Sequence, residues 1–105
     1  MIEILNESNF GSKVLESTGK TLVELFATWC PHCRRMTPII EQFASDEAGE
    51  VKTYQVNVDE SPKLANTYAP HGFPSFVLFE NGRIVDDRTG EQTLATLETM
   101  AAQPA

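Results

Sequence analysis

The sequence predicts an α/β domain: a mixed five-stranded sheet covered by helices on both faces. Three observations carry this expectation. Strand-like and helix-like segments alternate along most of the chain, and a terminal hairpin and helix follow them. The run Thr21-Leu22-Val23-Glu24-Leu25-Phe26-Ala27 places apolar residues at both parities, so it reads as a strand covered on both sides. Asn81-Gly82, between two strand-like runs, is the strongest hairpin signal in the chain. At 105 residues the length suits one domain, 1–105, around one core.

Taken in order, Glu3-Ile4-Leu5 is a short strand, and Ser8 or Asn9 caps a first helix whose apolar face is Phe10, Val14 and Leu15. Gly19-Lys20 turns the chain into the covered strand. Met36, Ile39, Ile40, Phe43 and Ala44 follow the i, i+3, i+4, i+7, i+8 pattern, which lays one buried stripe along a helix ending near Gly49. Pro38 lies inside that stripe. It lacks an amide hydrogen and crowds the preceding turn, so a bend is expected there. Val51 to Val58 is the next strand. Ser61 caps, and Pro62 opens, a short helix through Leu64 and Tyr68. Pro70-His71-Gly72-Phe73-Pro74 is a loop bracketed by prolines, after which Ser75 to Phe79 and Arg83 to Arg88 pair as a hairpin. Gly90 precedes a final helix with Leu94, Leu97 and Ala101 on one side, and Gln103-Pro104-Ala105 is expected to fray.

Composition narrows the function classes. Eight Lys and Arg against 15 Asp and Glu give a formal net charge of −7, and no basic patch interleaved with aromatics is present to neutralise phosphates. The expectation is therefore no nucleic-acid partner. No apolar run approaches the roughly 18 residues of a membrane span, and Met1 to Asn6 carry no basic cluster, so a cytoplasmic protein without a membrane partner is expected.

Both cysteines lie in Trp29-Cys30-Pro31-His32-Cys33, between the covered strand and the long helix. Three residues of spacing puts both sulfurs on one face of a helix's first turn, within reach of a disulfide. So small a loop removes little entropy from the unfolded chain, which makes the pair a poor staple and a serviceable redox switch. Two other readings stand beside this one. Cys30, Cys33, His32 and His71 are enough ligands in number for zinc, and a peptide-binding, chaperone-like module would carry the pair incidentally.

Over roughly Phe10 to Leu97 the chain resembles the thioredoxin family. The family pattern of an apolar strand with a buried acid, then Trp-Cys-x-x-Cys, then a proline five residues on, is met by Glu24, Trp29, Cys30, Cys33 and Pro38. Phe73-Pro74-Ser75 matches its cis-proline, and Asn57-Val58-Asp59, Asn81-Gly82 and Gly90 match further landmarks. Two departures are visible. Pro31-His32 is similar to the dipeptide of periplasmic disulfide-forming oxidases of the same fold, where thioredoxins usually carry Gly-Pro. Gln55 stands where the family tends to place a lysine near the buried acid.

The resemblance implies a thioredoxin-like fold and a thiol–disulfide oxidoreductase acting on protein disulfides, recycled by a thioredoxin reductase, monomeric and without a cofactor. Cys30, at the junction of strand and helix, is expected to be the accessible attacking thiolate, since unpaired amides and the helix dipole favour an anion there. Cys33, one turn further in, resolves the mixed disulfide. His32, with Pro31, tunes the Cys30 thiolate and makes the centre a weaker reductant than its Gly-Pro relatives. Glu24, an acid amid apolar residues, should hold its proton to higher pH and take one from Cys33. Trp29, Phe73 and Pro74 are expected to line a shallow groove for an extended substrate.

Overall fold

The computed structural model describes residues 2–103. They form a five-stranded sheet from β1 (Glu3–Leu5), β2 (Lys20–Phe26), β3 (Val51–Asn57), β4 (Ser75–Glu80) and β5 (Arg83–Thr89), in the order β1-β3-β2-β4-β5. β3 runs parallel to both β1 and β2, while β4 is antiparallel to β2 and β5. Three helices, α1 (Pro31–Asp46), α2 (Pro62–Tyr68) and α3 (Leu94–Ala102), pack on the faces. The mixed sheet with helices on both sides is thus as the sequence predicts. Among the described residues no helix is long and apolar enough to cross a membrane.

β2 is the middle strand, and its alternation divides the interior. Val23 and Leu25 join Val77, Phe79, Phe10 and Val14 on one face, where Leu64 and Tyr68 of α2 also pack. Leu22 joins Phe76, Leu78, Met36, Ile40, Phe43, Leu97 and Met100 on the other, beneath α1 and α3. Each such fully covered side chain contributes about 1.5–3 kcal/mol relative to exposure. Pro38 sits within a continuous α1 on its exposed side, so the helix runs through it.

Several expectations are corrected at the element ends. The first helix is a five-residue π-helical turn, Gly11–Leu15, in which the Glu16 amide reaches back to the Gly11 carbonyl at 2.9 Å. The wider turn keeps Phe10 and Val14 inside and rotates Leu15 outward, to 43% exposed. Neither Ser8 nor Asn9 caps it. Asn6 orders the entry instead, its Oδ1 accepting from the amides of Ser8 and Asn9 at 2.9 and 3.2 Å. α1 stops at Asp46, before Gly49, as the Glu47–Glu50 turn takes over. Ser61 stands at the N-cap of α2 without a side-chain cap bond, and Glu7 Oε2 accepts from the Lys63 amide at 2.7 Å in its place.

The hairpin tip shows why Asn81-Gly82 is there. Asn81 and Gly82 both have positive φ, 52° and 81°, as a two-residue turn matched to the strand twist requires. The Asn81 amide donates to the Gly19 carbonyl at 2.9 Å, and the Gly19 amide donates to Asn81 Oδ1 at 2.8 Å. Gly82 lies so close to Leu15 that a Cβ would fall 2.0 Å from the Leu15 oxygen. At the other end, Gln103 is tied down, its amide side chain donating to Asp86 Oδ2 at 2.6 Å and its carbonyl accepting from Lys20 Nζ at 3.1 Å. The fraying expected of Pro104 and Ala105 lies outside the described residues.

Candidate active site

The site forms where β2 ends. Ala27 to Trp29 turn the chain, the Cys30 amide donates to the Ala27 carbonyl at 3.3 Å, and Cys30 becomes the N-cap of α1 with Pro31 at the first helical position. Proline costs nothing there because that amide has no partner in a helix anyway. Both cysteines are covered, with 5% of each exposed. The expectation of an exposed Cys30 is therefore corrected, while Cys33 is the more deeply set of the two, as expected. Cys30 belongs to the apolar cluster that includes Ala27, Cys33 and Val58, with Phe73 packed against it.

What separates the two thiols is their surroundings. Burial pushes the Cys30 thiol up, but the Cys33 amide and thiol and the His32 amide hydrogen-bond to it and the Arg35 charge attracts it, and together they bring it below its ordinary value. Cys33 goes the other way, to about 12, chiefly through burial, with Cys30 and the Glu24 charge adding to the rise and a bond to the Ala27 backbone opposing it. One sulfur is prepared to be a thiolate and its neighbour to stay protonated.

Glu24 lies in the middle of β2, 1% exposed. Strand register sets Ile4, Gln55, Glu24 and Phe76 in one row across β1, β3, β2 and β4. Cross-strand neighbours share a face, so Gln55 reaches Glu24 Oε1 with its Nε2 at 2.8 Å. Glu24 Oε2 has no partner among the described residues. Burial raises this carboxyl from 4.5 to about 7, with Gln55 holding it down in part. β2 is the middle strand, so Glu24 has no sheet edge from which to reach solvent. An open cleft of about 330 Å³ brings Glu24, Cys33 and Gln55 together beneath a rim of Ile4, Arg34 and Thr37.

The Phe73–Pro74 peptide is cis, and Phe73 packs against the cluster that contains Cys30. Ser75 Oγ donates to the Gly72 carbonyl at 2.6 Å and the Gly90 amide donates to the Pro74 carbonyl at 2.7 Å, which fixes the loop. Phe73 meets the exposed Trp29 edge to face at 5.4 Å, and Trp29 Nε1 donates to Asp59 Oδ2 at 2.8 Å. Trp29 and the residue ahead of the cis-proline thus stand together.

The His32 imidazole does not stand as expected. Its side chain is 62% exposed, its Nδ1 lies 2.6 Å from Glu91 Oε2, and a terminal nitrogen of Arg35 lies 2.8 Å from the same atom. What His32 brings to Cys30 is its backbone amide, and the side-chain charge acting on Cys30 is that of Arg35. Arg35 and Glu91, 56 residues apart in sequence, carry no local signal that would have paired them. Asp59 was legible as a landmark, though not as the partner of Trp29. The zinc set is not assembled: His71 lines a separate small cavity with Tyr68, Asp87 and Arg88, and among the described residues no three His, Cys, Asp or Glu side chains converge to hold a metal.

A family model described as Thioredoxin matches residues 1–103. The chain is 43% identical over 94 residues to thioredoxin M4, chloroplastic, of Arabidopsis thaliana, covering 90% of this chain and 49% of that protein. It is 36% identical over 96 residues to thioredoxin M-type, chloroplastic, of Pisum sativum, covering 91% of this chain and 56% of the relative. Over 92 residues it is 36% identical to a thioredoxin of Rickettsia felis, covering 88% of each. The chain thus spans about half the length of these plant relatives and most of the bacterial one.

Proposed function

We propose that this chain, which belongs to the thioredoxin family, works as a thiol–disulfide oxidoreductase on protein disulfides. The observation that carries the reading is the opposed preparation of the two thiols, Cys30 lowered and Cys33 raised to about 12, at the start of one helix. In the first step the Cys30 thiolate attacks a substrate disulfide. The new bond joins Cys30 to one substrate sulfur, and the other leaves as a thiolate and takes a proton from water. Mixed-disulfide formation removes the Cys30 charge, one of the influences that hold the Cys33 proton. Glu24, whose carboxyl titrates near 7, accepts that proton across the shared cleft. Cys33 then attacks Cys30, the Cys30–Cys33 disulfide closes, and the second substrate sulfur departs. The second sulfur takes up the Cys33 proton that Glu24 holds, so the substrate gains two electrons from the protein and two protons, one from water and one from Cys33.

Trp29, Phe73 and Pro74 serve as the wall of the substrate groove, and an extended peptide pairs with the backbone at Phe73. Pro31 and His32 tune the centre, His32 through its amide. A thioredoxin reductase is the recycling partner, and the protein acts as a monomer in the cytoplasm, where a lone Cys-x-x-Cys pair is kept cycling instead of crosslinked. Neither nucleic acid nor a membrane is a partner.

Replacing Cys33 with Ser tests the roles. The variant should accumulate mixed disulfides through Cys30 that the wild type resolves. Trapping that requires Cys33 and survives loss of Cys30 would reverse the assignment, and absence of two-electron titration in the wild type would remove the reading altogether.

A further inference from the structure

The active-site rim holds an ion cluster for which the thiol chemistry just described has no use. Glu91 Oε2 accepts from Arg35 Nε at 3.0 Å and from the same guanidinium's terminal nitrogen at 2.7 Å, and it lies 2.6 Å from His32 Nδ1. Glu91 is fixed from behind. Gly90, its neighbour, donates to the Pro74 carbonyl at 2.7 Å, and Gln92, on its other side, donates its amide to Met36 Sδ at 3.4 Å. The carboxylate is therefore held between the Pro74 loop and the first turns of α1. Hydrogen bonds from Arg35 and His32 keep the Glu91 carboxyl ionised down to about 2.

Two consequences follow. Nδ1 of His32 is contested: it donates to Glu91 only when it carries a proton, and accepts from Arg35 only when it does not. In either state the imidazole is engaged along the rim, with Glu91 in the one and with Arg35 in the other. The Arg35 charge lowers the Cys30 thiol, and that charge is opposed at contact distance by Glu91. A cation favours the thiolate, hence the dithiol, and makes the pair more oxidising. A carboxylate fastened to that cation works against it.

We propose that Glu91 is a positioning residue of the redox centre: by fastening Arg35 and engaging His32 at the mouth of the site, its carboxylate restrains the oxidising strength of the Cys30–Cys33 pair. Among the described residues the Glu91 carboxylate bonds Arg35 and His32 and neither sulfur, so it acts through Arg35. The inference rests on the oxidoreductase reading above.

The test is a glutathione redox titration of wild type, Glu91→Gln, Arg35→Gln and the double variant, with the thiolate absorbance of Cys30 followed against pH. Glutamine at 91 keeps an acceptor for Arg35 and removes the charge. Glu91→Gln should shift the equilibrium toward the dithiol by roughly two- to fivefold, the range expected of an exposed ion pair, and should lower the apparent Cys30 pKa. Arg35→Gln should shift both in the opposite sense. With Arg35 absent, Glu91→Gln should lose most of its effect. An unmoved or reversed equilibrium in Glu91→Gln, or an equal shift with and without Arg35, overturns the proposal. If the wild type itself shows no two-electron transition, the oxidoreductase reading fails instead, and the two failures are told apart in the same experiment.

Discussion

Replacing Glu24 with Gln should flatten the dependence of stability on pH. Unfolded, this carboxyl titrates near 4.5; folded, near 7. Below pH 4.5 both states hold the proton, so the stability associated with the neutral, buried acid is fully present. Between 4.5 and 7 the unfolded chain releases the proton while the folded chain retains it, and stability falls as pH rises. Above about 7 the ionised carboxylate must be carried in the folded state with one hydrogen bond, from Gln55, and one unpartnered oxygen. At about 1.4 kcal/mol per pKa unit, the loss across this window is about 3 kcal/mol. Glutamine is neutral throughout, so the variant should lack that loss, and any constant cost of the amide cancels from the slope. Urea unfolding of both proteins between pH 4 and 8.5, with the Cys30–Cys33 disulfide closed so that neither thiol titrates, reads the effect directly. Stability curves that run parallel for wild type and variant would refute the buried, proton-holding carboxyl. The same substitution should slow resolution of mixed disulfides near neutral pH, because Cys33 loses its proton acceptor.

Three other outcomes are expected. Gln55→Lys sets an ammonium opposite Glu24 and should move the Glu24 titration down by about one pH unit or more; a carboxyl NMR titration that stays near 7 would contradict it. Pro31→Gly with His32→Pro removes the His32 amide proton that bonds to Cys30, so the apparent Cys30 pKa should rise and the reduction potential fall, and a glutathione titration giving an equal or higher potential would defeat this account. Gly82→Ala adds a Cβ 2.0 Å from the Leu15 oxygen at a φ of +81°, which should cost more than about 1 kcal/mol, against near-neutral behaviour at the open Gly49; thermal unfolding of the two variants compares them.

Much of this was legible because local pattern and tertiary demand agree. The double-parity run from Thr21 to Ala27 marks the strand that both cores share, and the single acid within it could go nowhere but inside. Asn81-Gly82 specified its turn through the positive φ it needs. Where reading and structure part, long-range contacts decided. Ser61 is a good capping residue, but Glu7 arrived from another element to take the amide of Lys63. Leu15 fits an α-helical face and loses it once the turn widens by one residue. Nearness in sequence points to His32 as the side chain that tunes Cys30, whereas Arg35 supplies the charge there and the His32 imidazole engages Glu91. No spacing rule joins residues 56 apart.

The central position of β2 has one more consequence. Its amides are paired with β3 on one edge and β4 on the other, and its side chains are covered on both faces. Such hydrogens exchange with solvent only when the whole fold opens, so their deuterium uptake reports global free energy, while β1 and β5 at the margins report local opening. Cys30 and Cys33 lie outside this strand, and where β2 reports global opening in both redox forms, the difference between their exchange free energies equals the difference between closing the disulfide in the folded and in the unfolded chain. Two deuteration time courses therefore weigh the redox balance of Cys30 and Cys33 from the folding side of the thermodynamic cycle, with no electron donor in the tube.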